Sequence, residues 1–166
     1  MPVNLELKIK VRSFEKFRNI LRKSKSHYKG ILVQKDIYYK WKKGLLKLRI
    51  ENSSSQLIKY NRDEKGMKRW SNYEILKVEG KNPENFFNNI LQREAVVEKK
   101  RELYIYNNTR IHLDTVKRLG KFIELETIVI KNKKGAEKRF KEIITLLGID
   151  QKKEIKSSYR NLIIGG

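Results

Sequence analysis

Hydrophobic and polar residues alternate with a period of two along much of this chain. In "VNLELKIKV" (residues 3–11), Val3, Leu5, Leu7, Ile9 and Val11 share one face and Asn4, Glu6, Lys8 and Lys10 the other, the mark of a half-buried strand. The period then changes. Ser13 can cap a helix whose apolar residues Phe14, Phe17, Ile20 and Leu21 fit 3.6 residues per turn, ending near Tyr28-Lys29-Gly30. "ILVQKDIYYKW" predicts a strand, Lys43-Gly44 a turn, and "LLKLRIE" a strand with Leu46, Leu48 and Ile50 opposite Lys47, Arg49 and Glu51. "NSSS" reads as a loop, "QLIKYNR" as a strand, "DEKG" as a turn and "KRWSNYEILKVE" as a strand. Asn82-Pro83 opens a second helix, with Phe86, Phe87, Ile90 and Leu91 as its apolar set. "VVEKKRELYIY", "TRIHLDTV" and "KFIELETIVI" are three more strands, separated by turns at Asn107-Asn108 and Leu119-Gly120. A helix from about Lys134 to Leu147 carries Phe140, Ile143, Ile144 and Leu147 inward, and "SSYRNLI" predicts a short helix or ordered tail.

About eight strands joined mainly by tight turns imply antiparallel neighbours, and a sheet of that size tends to curl or close. The expectation is an α+β fold: an eight-stranded antiparallel barrel with helices packed on the outside, in one domain spanning residues 1–166. Three amphipathic helices can cover the apolar strand faces from outside. The polar faces would then point inward, the reverse of most small barrels.

Composition narrows the function. Among 166 residues, Lys+Arg number 40 against 19 Asp+Glu, a formal charge of +21 that favours polyanions. The lysines are spread along the whole chain, without a basic tail or zinc-finger spacing, so nucleic acid is expected only as a nonspecific contact at low salt. Cysteine is absent, which excludes disulfides and thiolate metal sites. No apolar run approaches a membrane span, and the N-terminus lacks a signal-peptide layout, so the cytoplasm is the expected compartment and no membrane partner is expected.

The polar strand faces hold the candidate chemistry: Glu6 and Lys8; Lys47 and Arg49; Arg110, His112 and Asp114; Glu124 and Glu126. Alternation alone fits a solvated exterior with weak cross-strand ion pairs. Two features argue instead for an interior. The helices carry enough apolar surface to cover the apolar side of the sheet, and the acidic pairs sit on separate strands with no lysines placed opposite them. Two Glu at i and i+2 repel unless a cation lies between them, and carboxylate oxygens suit Mg²⁺ or Mn²⁺.

"NLELK" resembles the Glu-x-Glu-x-Lys signature of CYTH proteins, the triphosphate tunnel metalloenzymes. "QKDIYYKWKKGLLKLRIE", "LIKYNRDEKG", "RWSNYE", "VVEKKRELYIYNNTRIHLDTVKRLGKFIELE" and "SSYRNLI" follow in the family's order, most similar to its class IV adenylyl cyclase branch. The resemblance implies a tunnel that binds a triphosphate compound (ATP, another nucleoside triphosphate or tripolyphosphate) with Mg²⁺ or Mn²⁺ and cleaves its phosphoanhydride, as a cyclase or a hydrolase. It further implies that Glu6, Glu124 and Glu126 hold metal, with Asp114 as a further ligand or a hydrogen-bond partner. Lys8, Lys47, Arg49, Lys59, Arg62, Lys99, Arg101 and Arg110 would bind phosphate, with Glu6, Lys8, Arg49 and Arg110 at the centre of catalysis. Lys59 is assigned inward parity with Asn61. His112 also has inward parity, as a structural histidine or a general acid–base, whereas His27 reads as surface. Tyr38 and Tyr39 read as packing or base-stacking residues. One departure stands out: Asn4 occupies the first signature position, and an amide brings no negative charge to a metal. A catalytically weak or inactive polyanion-binding module is therefore the alternative, as a monomer or homodimer in either case.

Overall fold

The computed structural model of the chain describes residues 2–62 and 68–165, the side chain of Arg62 excepted; the expected "DEKG" turn lies outside the described residues. The elements run β1 (Val3–Val11), α1 (Glu15–Lys23), β2 (His27–Tyr39), β3 (Leu45–Glu51), β4 (Ser54–Arg62), β5 (Arg69–Val78), α2 (Pro83–Ile90), β6 (Arg93–Tyr106), β7 (Thr109–Val116), β8 (Gly120–Ile128), α3 (Lys133–Leu147) and α4 (Tyr159–Gly165), with a 3₁₀ turn at Gln151–Lys153. The strands close into a barrel in the order β1-β5-β4-β3-β2-β6-β7-β8, and all neighbours are antiparallel. The fold is the α+β barrel with external helices that the pattern predicts. Among the described residues, no helix is long and apolar enough to cross a membrane.

Several boundaries move for local reasons. Ser13 does not cap α1 directly: Phe14 is the N-cap, and the Ser13 hydroxyl accepts from the Glu15 N–H at 3.2 Å. The helix stops at Lys23, short of the expected Tyr28–Gly30, because the Ser24 and Ser26 hydroxyls both donate to the Leu21 carbonyl at 2.8 and 2.7 Å. β2 then starts early, at His27, and absorbs Gly30 as a bulge with φ +104°. Asn107 and Asn108, at φ 45° and 57°, supply the left-handed pair a tight hairpin turn needs between β6 and β7. Asn82 caps α2 by accepting from the Asn85 N–H at 3.0 Å, with Pro83 at the first helical position.

The largest apolar cluster lies outside the barrel wall. Leu5, Leu7, Ile9, Ile111, Leu113, Ile123 and Leu125 pack beneath Phe14, Phe17 and Leu21 of α1 and Phe140, Ile143, Ile144 and Leu147 of α3. A second external cluster joins Ile37, Tyr39 and Leu48 to Phe87 and Leu91 at α2. The third is internal: Tyr38, Ala95, Val97, Val116 and Phe122 meet Tyr159, Leu162 and Ile163, so α4 packs across one end of the barrel. With the main core outside, the opposite faces of the same strands are left to line the lumen.

Ile123→Ala removes a fully buried residue from this external core and is expected to cost about 2–5 kcal/mol in urea denaturation. Leu76→Ala, at an exposed position on the barrel exterior, is expected to shift stability by less than about 0.5 kcal/mol.

Candidate active site

Strand register decides which charges meet inside. Asp36 of β2 lies opposite Arg49 of β3, and Arg101 of β6 opposite Asp114 of β7. Arg110 and His112 of β7 lie opposite Glu126 and Glu124 of β8, while Glu6 and Lys8 of β1 lie opposite the same two glutamates. The inward faces of all eight strands thus border one cavity of about 150 Å³, lined by Glu6, Lys8, Lys47, Arg49, Lys99, Arg101, Arg110, Glu124 and Glu126 among others. This register corrects one sequence argument: the acidic pairs do face cations, Lys8 across from Glu124 and Arg110 across from Glu126.

The deepest feature is a carboxylate not singled out from sequence. Asp36 is fully buried; its Oδ1 accepts from Arg49 Nε at 2.8 Å, and its Oδ2 accepts from Arg49 Nη2, Lys47 Nζ and Lys99 Nζ at 2.8, 2.9 and 3.1 Å. Burial by itself would raise its pKa, but the charges of Arg49, Lys47 and Lys99 and the arginine fork outweigh that and hold it well below the usual carboxylate range. Lys47 moves the other way. Burial and the charge of Arg49 lower it to about 7, with Asp36 opposing. One ionised carboxylate therefore orders three cations on two walls of the cavity.

A second buried knot sits on the neighbouring strands. Arg101 grips both oxygens of Asp114 at 2.7 Å and donates to Glu124 Oε1 at 3.2 Å. His112 Nδ1 lies 3.3 Å from the same Glu124 oxygen. Burial, then the charge of Arg101, lowers the histidine's pKa and keeps the ring neutral, so Nδ1–H donates and Nε2 is left as a buried acceptor. Burial would raise Glu124, but the His112 hydrogen bond and the charges of Arg101 and Lys8 hold it well below the usual range. Tyr159, which begins α4, donates its hydroxyl to Asp114 Oδ2 at 2.8 Å; its ring lies 4.3 Å from Lys8 Nζ, which itself donates to the Ser157 carbonyl at 2.6 Å. The C-terminal segment thus fixes both a cation and the anchor of another.

The donor set fits a divalent ion. Glu6, Glu124 and Glu126 are hard oxygen donors on the adjoining strands β1 and β8, all lining the cavity. Ligand atoms of His112, Asp114 and Glu124 also lie within 4.8 Å of one another. Asp114, however, spends both oxygens on Arg101 and one on Tyr159 as well, so its contacts are those of a hydrogen-bond partner.

Of the residues predicted from sequence, Glu6, Lys8, Lys47, Arg49, Lys99, Arg101, Arg110, Glu124 and Glu126 line the one cavity, and Asp114 joins them through Arg101. Lys59 does not. Register places Ile58 opposite Lys47, so Ile58 and Tyr60 face the cavity and Lys59 projects outward, pairing with Glu74 at 2.8 Å. The alternation does not reveal the parity because β4 is partly apolar on both faces: Leu57 packs under α2 while Ile58 lines the cavity, and a shift of one residue exchanges them. Arg62 lies in β4, with its side chain outside the described residues. Asp36, Tyr60, Tyr73 and Tyr159 are the lining or supporting residues that sequence reasoning missed. For Asp36 a signal existed, since it shares strand parity with Tyr38 in "QKDIYY", a lone acid in an apolar strand.

Asp36→Asn leaves Lys47, Arg49 and Lys99 without their common counter-charge and is expected to lower stability at pH 7 by about 3–5 kcal/mol. Because the folded carboxyl titrates below its unfolded value, its contribution is complete above about pH 4 and is lost as pH falls through the folded value. The gap between wild type and variant in denaturant titrations should therefore narrow below about pH 4.

Comparison with known proteins adds three findings. A family model described as "CYTH domain" matches residues 3–159. No curated protein sequence matches significantly. Among solved structures, the chain is similar to the PH1012 protein of Pyrococcus horikoshii (20% identity, 96% of this chain and 98% of that one, TM-score 0.83). It also resembles a candidate adenylate cyclase of Vibrio parahaemolyticus (16%, 96% and 97%, TM-score 0.77) and, more distantly, the Pct1 RNA triphosphatase of S. pombe (14%, 88% and 83%, TM-score 0.51). At these identities the structures establish likeness of fold alone; the family model spans nearly all of the chain, and the chain belongs to the CYTH domain family.

Proposed function

We propose that the barrel is a triphosphate tunnel that binds a triphosphate compound with Mg²⁺ or Mn²⁺ and cleaves its phosphoanhydride. The observation that carries this reading is the division of one cavity into two walls. Cations on β3, β6 and β7 (Lys47, Arg49, Lys99, Arg101 and Arg110) face carboxylates on β1 and β8 (Glu6, Glu124 and Glu126). A polyphosphate chain needs donors along its length, and arginine forks match phosphate oxygens. Arg110 supports this directly: its Nε is buried and has no hydrogen-bond partner among the described residues. Relatives described as a candidate adenylate cyclase and an RNA triphosphatase fit the same chemistry.

In this reading Glu6, Glu124 and Glu126 hold the divalent ion, which when bound neutralises phosphate charge and acidifies water. Arg49, Arg101 and Arg110 hold phosphate oxygens in line, with their own positions fixed by Asp36, Asp114 and the strand register. Lys47 and Lys99 add charge on the same side, and Lys8 adds it from β1, opposite Glu124. The nucleophile is a water or a ribose 3′-hydroxyl oxygen; as it bonds to phosphorus it gives up its proton to solvent, the bridging P–O bond breaks and the leaving phosphate keeps the electron pair. Charge building on the leaving oxygens is met by donors already in place, which is where most of the acceleration arises. One observation favours a second reading, a binding module with weak or no turnover: Asn4 stands on β1 beside the carboxylates, where the family signature has glutamate.

Product analysis with ATP and with tripolyphosphate, each with Mg²⁺ and Mn²⁺, separates these readings. Orthophosphate from either substrate, or cyclic AMP with pyrophosphate, is expected only with metal. Arg110→Ala should reduce kcat by about 10²-fold or more, and Glu126→Ala should abolish the metal-dependent product. No metal-dependent product from wild type would replace the enzyme with the binding module.

Binding should also take up a proton. Lys47, near 7 when the site is free, is drawn upward by the polyphosphate charge, so affinity falls as pH rises above about 7. Calorimetry of tripolyphosphate binding at pH 8 in buffers of different ionisation enthalpy should register net uptake. Lys47→Arg, charged throughout, should lose that component.

A further inference from the structure

We infer that the projecting half of β2, residues 27–33, is a docking edge at which an extended acidic segment of a partner protein adds as a strand. This edge lies on the outside of the wall and is independent of the chemistry proposed for the lumen.

The barrel is closed, yet its strands differ in length. β6 pairs with β2 from His27 to Tyr39, whereas β3 pairs with it only from Gln34 to Tyr39. Residues 27–33 thus have a strand neighbour on one side alone, and no other described backbone group bonds to their open side. A run of unpaired N–H and C=O groups is a template for another strand. The register slips only at Lys29, the extra residue of the Gly30 bulge. Space is free there: a side-chain carbon added at Gly30 would meet no atom within 4 Å.

The outer face of the same segment is apolar and uncovered. Tyr28, Ile31 and Val33 form its outward row, opposite Tyr104, Glu102 and Lys100 of β6, and each is more than half exposed. Further along β2 the row continues as Ile37 and Tyr39, which pack against α2. Its first part is left open, with Tyr28 and Ile31 beside a cavity of about 410 Å³ that α1 borders. A strand added at the open edge sets its alternate side chains against Ile31 and Val33 and takes both from water.

Charge identifies the occupant. The carboxylates that flank the segment are already matched: Glu102 by Arg18, Glu84 by Lys35 at 2.9 Å and Glu98 by Lys117 at 2.8 Å. Its cations are not. Arg22, Lys29 and Lys100 have no ion-pair partner among the described residues. A second copy of the chain brings a further +21 and the same unanswered cations. Lys29, set on the open edge, turns such a strand away. A segment that alternates apolar and acidic residues meets both the bare row and the cations around it.

The test is fluorescence anisotropy of the full chain, at physiological salt, with a labelled peptide that alternates valine and glutamate over about seven residues, the length of a strand. Two relatives of that peptide serve as controls: a fully N-methylated copy, which keeps the charge but loses the strand donors, and a copy with lysine in place of glutamate. The first peptide should bind saturably, and both controls at least about tenfold more weakly, as loss of two or three hydrogen bonds or of the charge match requires. Ile31→Glu, at an exposed position away from the lumen, should weaken the first peptide by about tenfold and leave tripolyphosphate binding unchanged. Hydrogen exchange of amides within residues 27–33 should slow when the first peptide is present. Absence of saturable binding, or equal binding of the methylated peptide, would overturn the edge as a docking site. A dimer in sedimentation velocity that Ile31→Glu dissociates would give the edge to a second copy and overturn the acidic partner.

Discussion

Charges can be kept inside a closed barrel only if each is answered by another, and in this protein that constraint falls most heavily on Asp36. A fully buried carboxylate would ordinarily take up a proton; here three cations keep it ionised, and it in turn makes their burial tolerable. Coulombic attraction in so dry a setting is strong, but the desolvation of four groups opposes it. The result is best regarded as fixed orientation rather than as surplus stability. Arg49, Lys47 and Lys99 are held where a polyanion would meet them, so little rearrangement is left to make when one binds.

The Arg101–Asp114 pair repeats the device on the next strands, and Tyr159 ties it to the C-terminal helix. The two knots also explain why the lumen is not a plain apolar core. Cations are anchored at one oxygen layer and present their remaining donors to the cavity, whereas Glu6 and Glu126 face that cavity from the other wall. α4 packs over one end, and Ile75, which lines the cavity, is exposed.

Moving the main hydrophobic core outside the barrel is what makes such a lumen affordable. The apolar faces of β1, β7 and β8 find α1 and α3, whose apolar stripes are matched to them, and the strand faces left over are free to be chemical. A conventional barrel of this size would fill its interior with aliphatic side chains. In this chain the helices take over most of that role.

Much of this was legible in the chain itself. The alternation in "VNLELKIKV" and "FIELE" determined which residues share a face, the helical stripes at Phe14–Leu21 and Phe140–Leu147 determined what could cover the apolar faces, and short turns made closure antiparallel. Those are local properties, set by the pleat and by the helical turn. Register was not local. Whether Lys59 faces in or out depends on Ile58 standing opposite Lys47, and β4, apolar in part on both sides, carries no internal signal to decide it. The role of Asp36 likewise arises only when β3 and β6 bring Arg49, Lys47 and Lys99 to it from 11 to 63 residues away in the chain. Periodicity can say that a face is polar; which charges answer one another across it is decided by the hydrogen-bonded pairing of distant strands.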